Sequence, residues 1–223
     1  MPDSFRNLAT TLSRAGRHDQ ALAALDDATA ALVLSGKPDS PDAAGLLVTR
    51  GGILRERGDF AGARAAVRTA VERLDRLLGP AHPMLIDPLL TLADIEGMAG
   101  QHDAAVAAAR RAEAILVATH GAGDANLAPV RAFLGQMLVA SGRPADAVVV
   151  LEPALARWLA SGGSPLITGQ IQLTLADALW QARGERARAR GLAEDAAASL
   201  RPTGAAGAAE LAKVEAWLAA HAR

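Results

Sequence analysis

Glycine recurs along this chain at a fixed interval. Gly16, Gly58, Gly100, Gly142 and Gly184 follow one another every 42 residues. A repeat of this length indicates an array in which each unit is one supersecondary element that buries its apolar face against its neighbours. Five such units account for most of the 223 residues.

Two columns of alanine share this period. The first lies five residues after each glycine and the second lies seven residues further on: Ala21, Ala63, Ala105, Ala147 and Ala189, then Ala28, Ala70, Ala112, Ala154 and Ala196. Residues seven apart lie on the same face of a helix, and small side chains there let two helices approach closely. A glycine ahead of them can end a helix in the left-handed conformation. Each unit is therefore predicted to be a pair of antiparallel helices.

Composition supports an all-α fold. Apolar residues make up 51% of the chain, yet aromatic residues make up only 3% and tyrosine is absent. Alanine and leucine, which have high helix propensity, must supply the core. The predicted helices are Asp3–Ala15, His18–Leu34, Pro41–Arg57, Asp59–Leu78, Pro83–Ala99, Asp103–Thr119, Asn126–Ala140, Pro144–Ala160, Pro165–Arg183, Arg186–Leu200 and Ala205–His221.

The corresponding organisation is one solenoid over residues 1–223. Its repeats are predicted at 1–40, 41–82, 83–124, 125–164 and 165–202, and a C-terminal helix at 205–221 is predicted to cap the last repeat. Glycine and proline fill the connectors between repeats. Because the chain starts almost directly in a helix, we expect either a dimer face at that end or a longer parent protein.

Three positions depart from the pattern. Leu175, Ala176 and Leu179 fall one residue early relative to Gly184, so the fifth hairpin is expected to hold one extra residue. Pro153 lies inside a helix, where proline removes a backbone hydrogen bond. Glu96 occupies a column that otherwise holds Leu12, Leu54, Leu138 and Trp180. An unpaired buried carboxylate is costly, so either the helix turns slightly, with Ile95 filling this column and Glu96 reaching solvent, or an arginine pairs with Glu96. We predict the rotation.

The pattern from Leu8 to Ala28 resembles the tetratricopeptide repeat (TPR), whose usual unit is shorter. The 42-residue unit and the connector LGPAHP at 78–83 resemble the kinesin light chain subtype of that family. The stretch LADALWQARGERARARGLAEDA, followed by KVEAWLA, resembles the C-terminal repeat region of bacterial serine/threonine protein kinases. The resemblance implies a right-handed α-solenoid of five antiparallel helix pairs that binds a peptide or a protein helix on its concave surface.

The resemblance also implies which positions line that groove. They are polar residues on the first helix of each pair: Arg6, Asn7, Thr10, Arg14, Thr49, Arg55, Glu56, Asp87, Thr91, Asp94, Gln136, Thr174 and Gln181. The set lacks the lysine and asparagine arrangement with which some family members hold a peptide's C-terminal carboxylate.

Charge and motifs argue against other classes of function. A net charge of −1 and a pI near 6.5 lack the basic footprint of a nucleic-acid binder. Without cysteine there is neither a disulfide nor a thiolate metal site, and with no signal pattern or membrane span we expect a cytoplasmic protein. The histidines are expected in turns and caps, GAGDAN at 121–126 and SGGSP at 161–165 in connectors, and ERARAR at 185–190 on a solvated helix start.

The leading hypothesis is a non-enzymatic, bacterial interaction scaffold with no cofactor, no nucleic-acid partner and no membrane partner. Two alternatives stay open: a C-terminal sensor or docking region of a bacterial kinase or transcriptional regulator, and a small-molecule or enzymatic site between repeats. A groove that is merely solvated also stays open. The oligomeric state and the identity of the partner are undetermined at this stage.

Overall fold

A computed structural model describes residues 2–125, 127–182 and 184–222 of the chain. These residues form eleven α-helices and no β-strand, which confirms the all-α fold. The helices are α1 Pro2–Arg14, α2 His18–Leu34, α3 Pro41–Glu56, α4 Phe60–Leu78, α5 Ile86–Met98, α6 His102–His120, α7 Leu127–Ala140, α8 Pro144–Ala160, α9 Pro165–Gln181, α10 Arg186–Leu200 and α11 Ala208–Ala220.

The predicted helix bounds agree closely with the observed ones. A 3-10 turn at Pro83–Leu85 precedes α5, and another at Arg201–Ala206 precedes α11, so these two helices begin later than predicted. Helix α8 continues through Pro153. The predicted ends at Asn126 and Arg183 lie outside the described residues.

The chain folds as two compact units, Met1–Ile115 and Leu116–Arg223. The first contains α1 to α5 and most of α6, and the second contains the end of α6 and α7 to α11. The continuity of one solenoid over residues 1–223 stays a prediction. None of the helices in the described part of the chain has the length and hydropathy of a membrane span.

Both alanine columns are buried as predicted. Their ten members are at most 2% exposed. In the first unit, Ala63 and Ala70 on α4 pack with Val67 and Leu74 around the inner face of α3 and α5. The helices come so close that Gly51 on α3 leaves no room for a side chain: a Cβ there would lie 2.3 Å from a methyl carbon of Val67. Small residues therefore set the distance between paired helices.

Four of the five periodic glycines end the first helix of a pair in the left-handed conformation. Gly100 has a φ of 75°, and the N–H of the next residue, Gln101, donates to the carbonyl of Glu96 at 2.8 Å. Gly16, Gly58 and Gly142 have the same sign of φ and the same bond. This pair of features is a Schellman motif, which satisfies a carbonyl that the helix end leaves free.

Gly184 does not share this geometry, because its φ lies outside the left-handed region. Three residues separate the helices of the first four hairpins, whereas four residues, 182–185, separate α9 from α10. The predicted extra residue in the fifth hairpin is therefore confirmed. It places Gly184 three positions after the end of α9, whereas the other four glycines lie two positions after their helices, so the left-handed helix end does not extend to the fifth hairpin.

The prediction for Glu96 was wrong. Glu96 is 1% exposed, and Ile95 beside it is buried as well. The carboxylate is paired with two arginines of α4: Arg68 Nη2 donates to Oε1 at 2.8 Å, and Arg64 Nε lies 2.8 Å from Oε2. The Arg64 contact is an ion pair by distance, but its N–H is not directed at the carboxylate as a hydrogen bond requires. Pairing, instead of rotation to solvent, compensates the buried charge.

Arginines on the second helices hold neighbouring repeats together. In the first unit, Arg111 on α6 reaches Asp75 on α4 and donates to the carbonyl of Pro80 at 3.0 Å. In the second unit, Arg188 on α10 contacts Glu152 on α8 at 2.6 Å, and the hydrogen bonds to Glu152 and then Glu185 raise the pKa of this guanidinium. Arginine can hold a carboxylate and a carbonyl at once, which the compact ammonium of lysine does less well.

Candidate binding surfaces on the first helices

The first helices of the first unit, α1, α3 and α5, form a surface with two open clefts. One cleft, which we call the Met84 cleft, has a volume of about 260 Å³. This is slightly below the range of roughly 300–1,000 Å³ that is typical of small-molecule sites. Val48, Leu74 and Met84 supply apolar walls, and Arg6 and Asp87 bring opposite charges to its edge. Such a cleft can accept an apolar side chain beside charged groups of either sign.

The second cleft, which we call the Ser13 cleft, lies between α1 and α3 and has a volume of about 270 Å³. It is more polar than the Met84 cleft, because Thr10, Ser13, Arg14 and Glu56 line it. Thr49 on α3 lines both clefts, so the two openings are neighbours on one surface. Six of the predicted groove residues thus meet on the first helices of this unit: Arg6, Thr10, Arg14, Thr49, Glu56 and Asp87.

A serine, a histidine and a glutamate come together at the Ser13 cleft, which Ser13 and Glu56 line. The buried Ser13 hydroxyl donates a hydrogen bond to Glu56, and His18 Nδ1 lies 3.2 Å from the same hydroxyl oxygen. Because the single hydroxyl hydrogen is donated to Glu56, it is not donated to the imidazole, as the serine of a hydrolytic triad requires. This arrangement ties α1 to α3 and to the start of α2.

The second unit has its own cleft along α7, α9 and α11, which we call the Trp217 cleft. Its volume is about 440 Å³. Gln136, Thr174 and Gln181, all predicted groove residues, line it together with Trp217 and Lys213 of α11. Thr174 is only 7% exposed, and its hydroxyl donates to the carbonyl of Gln170, so it contributes shape more than hydrogen bonding.

An aromatic cluster fixes the position of Trp217. Its ring meets Trp180 edge to face at 5.7 Å and stacks on His221 at 4.2 Å, and its indole N–H donates to Asp177 at 3.2 Å. Arg186 lies over the Trp180 ring at 5.0 Å. The run ERARAR, predicted to be a solvated helix start, therefore also makes tertiary contacts through Arg186 and Arg188.

The remaining predicted groove residues do not line these clefts. Arg55 and Asp94 form an ion pair that joins α3 to α5, so both charges serve the contact between neighbouring repeats. Asn7 and Thr91 lie on α1 and α5 outside the clefts.

Sequence reasoning missed Lys213 and Trp217. The sequence predicts their helix as a cap, and α11 packs against α9 and α10. It also contributes to the cleft surface, as a first helix of a further repeat would. The signal was present in the sequence, because Trp217 lies 42 residues after Leu175 on α9. It also missed the apolar walls of the Met84 cleft, since the groove was assigned from polar positions only.

Comparison with known proteins agrees with this architecture. One family model of the tetratricopeptide repeat matches residues 42–116, and a second model of this repeat matches residues 3–27 and 128–153. Together the matches cover more than half of the chain. A search of curated proteins finds no match.

Solved structures with the same fold are also found. The nearly identical TPR-like repeats of a putative kinesin light chain from Podosopora anserina are 21% identical, with a TM-score of 0.78 over 92% of this chain and 99% of that one. BtubC (BKLC) from P. vanneervenii is 17% identical, with a TM-score of 0.81 over 91% of this chain and 81% of that one. Bacillus thuringiensis PlcR, solved in complex with the peptide PapR7 and DNA, is 13% identical, with a TM-score of 0.60 over 99% of this chain and 73% of that one.

Proposed function

This chain belongs to the tetratricopeptide repeat family, and we propose that it is a non-catalytic scaffold that binds a peptide segment of a partner protein on its first helices. The observation that carries the proposal is the convergence of six predicted groove residues on the Met84 and Ser13 clefts of the first unit. The structural likeness to PlcR, which was solved with a bound peptide, supports a peptide as the ligand class.

The chemistry of these clefts favours a segment with both apolar and charged side chains. The Met84 cleft offers apolar contact, which supplies most of the binding free energy in such sites. Arg14 and Asp87 are exposed, and among the described residues neither forms an ion pair. Charges of both signs at the rim select the register and the orientation of the segment more than they add affinity.

A peptide selection tests the proposal. The whole chain is used as bait for a display library of random peptides, and the dissociation constants of enriched peptides are then measured by fluorescence anisotropy. The variant carrying Arg14→Glu and Asp87→Lys keeps the net charge, and we expect it to weaken binding by about tenfold or more.

A matched control separates position from charge. The variant carrying Glu72→Lys and Arg110→Glu makes the same pair of reversals on exposed positions of α4 and α6, outside the clefts. It should bind like the unmodified chain. The proposal fails if no peptide is enriched, or if the cleft variant binds the enriched peptides as well as the control does.

A regulatory role is the second candidate. The likeness to PlcR, solved with both a peptide and DNA, supports a chain that passes a peptide signal to an attached domain in a cytoplasmic bacterial regulator or kinase. Reading the gene upstream of Met1 tests it: an in-frame kinase or DNA-binding domain would support this role, and an upstream stop codon with a ribosome-binding site would contradict it.

A further inference from the structure

Besides the three clefts, another opening lies between α4, α5 and α6 of the first unit. This opening, which we call the Glu96 pocket, has a volume of about 320 Å³ and shares no lining residue with the Met84, Ser13 or Trp217 clefts. Val71, Leu89 and Leu92 form apolar walls, and three alanines of α6 line the opposite side: Ala104, Ala107 and Ala108. Arg68, Arg111 and Glu96 supply its charges.

The third repeat shares one wall of this pocket with the earlier repeats and departs from them at the base. Its second helix has alanine at 107 and 108, as repeats one and two have at 23–24 and 65–66. Its first helix has Glu96 in the column that holds leucine in repeats one, two and four. Small side chains on one wall and a carboxylate at the base thus line the pocket.

The charges at the base are not those that stability alone would favour. Replacing a buried ion pair by well-packed apolar residues is often neutral or stabilising, so the leucine of the other repeats would serve packing at least as well. Both oxygens of Glu96 are engaged by Arg64 and Arg68. Arg68 is about half exposed, and a guanidinium has five N–H donors, so it has donors left for a ligand.

The ion pairs at the pocket have a positive balance of charge. Arg64, Arg68 and Arg111 face the carboxylates of Glu96 and Asp75, their ion-pair partners. Three cations against two anions leave one positive charge beside an apolar wall. A ligand that fits both features has an apolar body and one anionic group.

We propose that the Glu96 pocket binds a small amphipathic carboxylate, whose anionic group meets Arg68 and whose apolar body lies on Leu89, Leu92 and the alanines of α6. The source of this chemistry is either a free organic acid or the C-terminal residue of a chain that ends in an apolar amino acid. The site is independent of the peptide-binding clefts.

Octanoate is the probe for this proposal, used with the full chain and with octylamine as the ligand of opposite charge. Calorimetric titration is expected to show saturable octanoate binding with a dissociation constant of about 1 mM, an affinity within reach of so small a ligand. No comparable binding of octylamine is expected. Acetyl-Gly-Gly-Leu with a free or an amidated C-terminus distinguishes the two sources: tighter binding of the free-acid peptide than of octanoate identifies a chain terminus.

Two variants locate the binding. Ala107→Leu fills the pocket without touching its charges, and we expect it to weaken octanoate binding at least about tenfold. Ala65→Leu places the same side chain at the equivalent exposed position of α4, one repeat earlier, and should leave binding unchanged. Arg68→Gln should weaken binding to a similar extent as Ala107→Leu. The proposal is overturned if octanoate does not saturate, or if Ala107→Leu binds it as tightly as Ala65→Leu does.

Discussion

The two units of this chain use the same repeat with different chemistry. The first unit buries a charge within its apolar packing: Glu96 lies between Arg64 and Arg68, and Arg55 pairs with Asp94. The second unit places Trp180 and Trp217 in an aromatic cluster, and Gln136 and Gln181 line its cleft beside Trp217. Both units have the same pattern of glycine and alanine, which sets the helix packing, so the other side chains can differ between the units. The repeat specifies the architecture, and the departures from the repeat specify the surfaces.

The largest expected effect is on the buried ion pair of the first unit. Replacing Arg64 and Arg68 together by methionine leaves Glu96 buried without a cation, and we expect a loss of about 3–5 kcal/mol in the free energy of unfolding. Glu96→Leu restores the column of the other repeats and leaves two arginines that can reach water, so it should cost far less or stabilise the unit. Urea denaturation of both variants measures the difference. Equal losses would show that the pair contributes no more than packing.

A smaller effect is expected in the second unit. Trp217→Ala removes the ring contacts with Trp180 and His221, and because the side chain is only partly buried we expect a loss of about 2–3 kcal/mol. Hydrogen exchange should show faster opening of α11, since this helix packs mainly on α9, α10 and the 3-10 turn between α10 and α11. Trp217→Phe keeps an aromatic ring and should restore most of the protection. Unchanged exchange in α11 after Trp217→Ala would count against the cluster as its anchor.

The smallest expected effects come from two adjacent glycines of α3. At Gly51 an added methyl group would lie 2.3 Å from Val67, so Gly51→Ala should destabilise by about 1–2 kcal/mol despite the better helix propensity of alanine. At Gly52 an added methyl group meets nothing within 4 Å, so Gly52→Ala should stabilise by about 0.5–1 kcal/mol. Thermal denaturation of the two variants gives the sign of each change. The same sign for both would contradict the close approach of α3 and α4.

Most of the fold could be predicted from the sequence because it depends on local and periodic features. The alanine columns fixed which face of each second helix is buried, and the extra residue of the fifth hairpin followed from the offset of Leu175. The fate of Glu96 could not be predicted in this way. It depends on Arg64 and Arg68, which lie about 30 residues earlier on another helix and belong to no column that the period reveals.

The candidate site was predictable only in part. Their positions on first helices predicted that Arg6, Thr49 and Asp87 lie on one surface. The same reasoning could not show that Arg55 and Asp94 form an ion pair with each other. Pairing between charged residues of different repeats depends on side-chain reach, which the repeat pattern does not contain. Trp217 was missed for a different reason, since its helix carries the groove surface beyond the last complete repeat.

The most direct test of the central claim is to map a bound peptide on the chain. Amide hydrogen exchange is measured with and without a peptide selected against the full chain, at a concentration that saturates binding. The account predicts protection concentrated on α1, α3 and the start of α5, where the Met84 and Ser13 clefts lie. Protection confined to α2 and α4, with α1 and α3 unchanged, would contradict it.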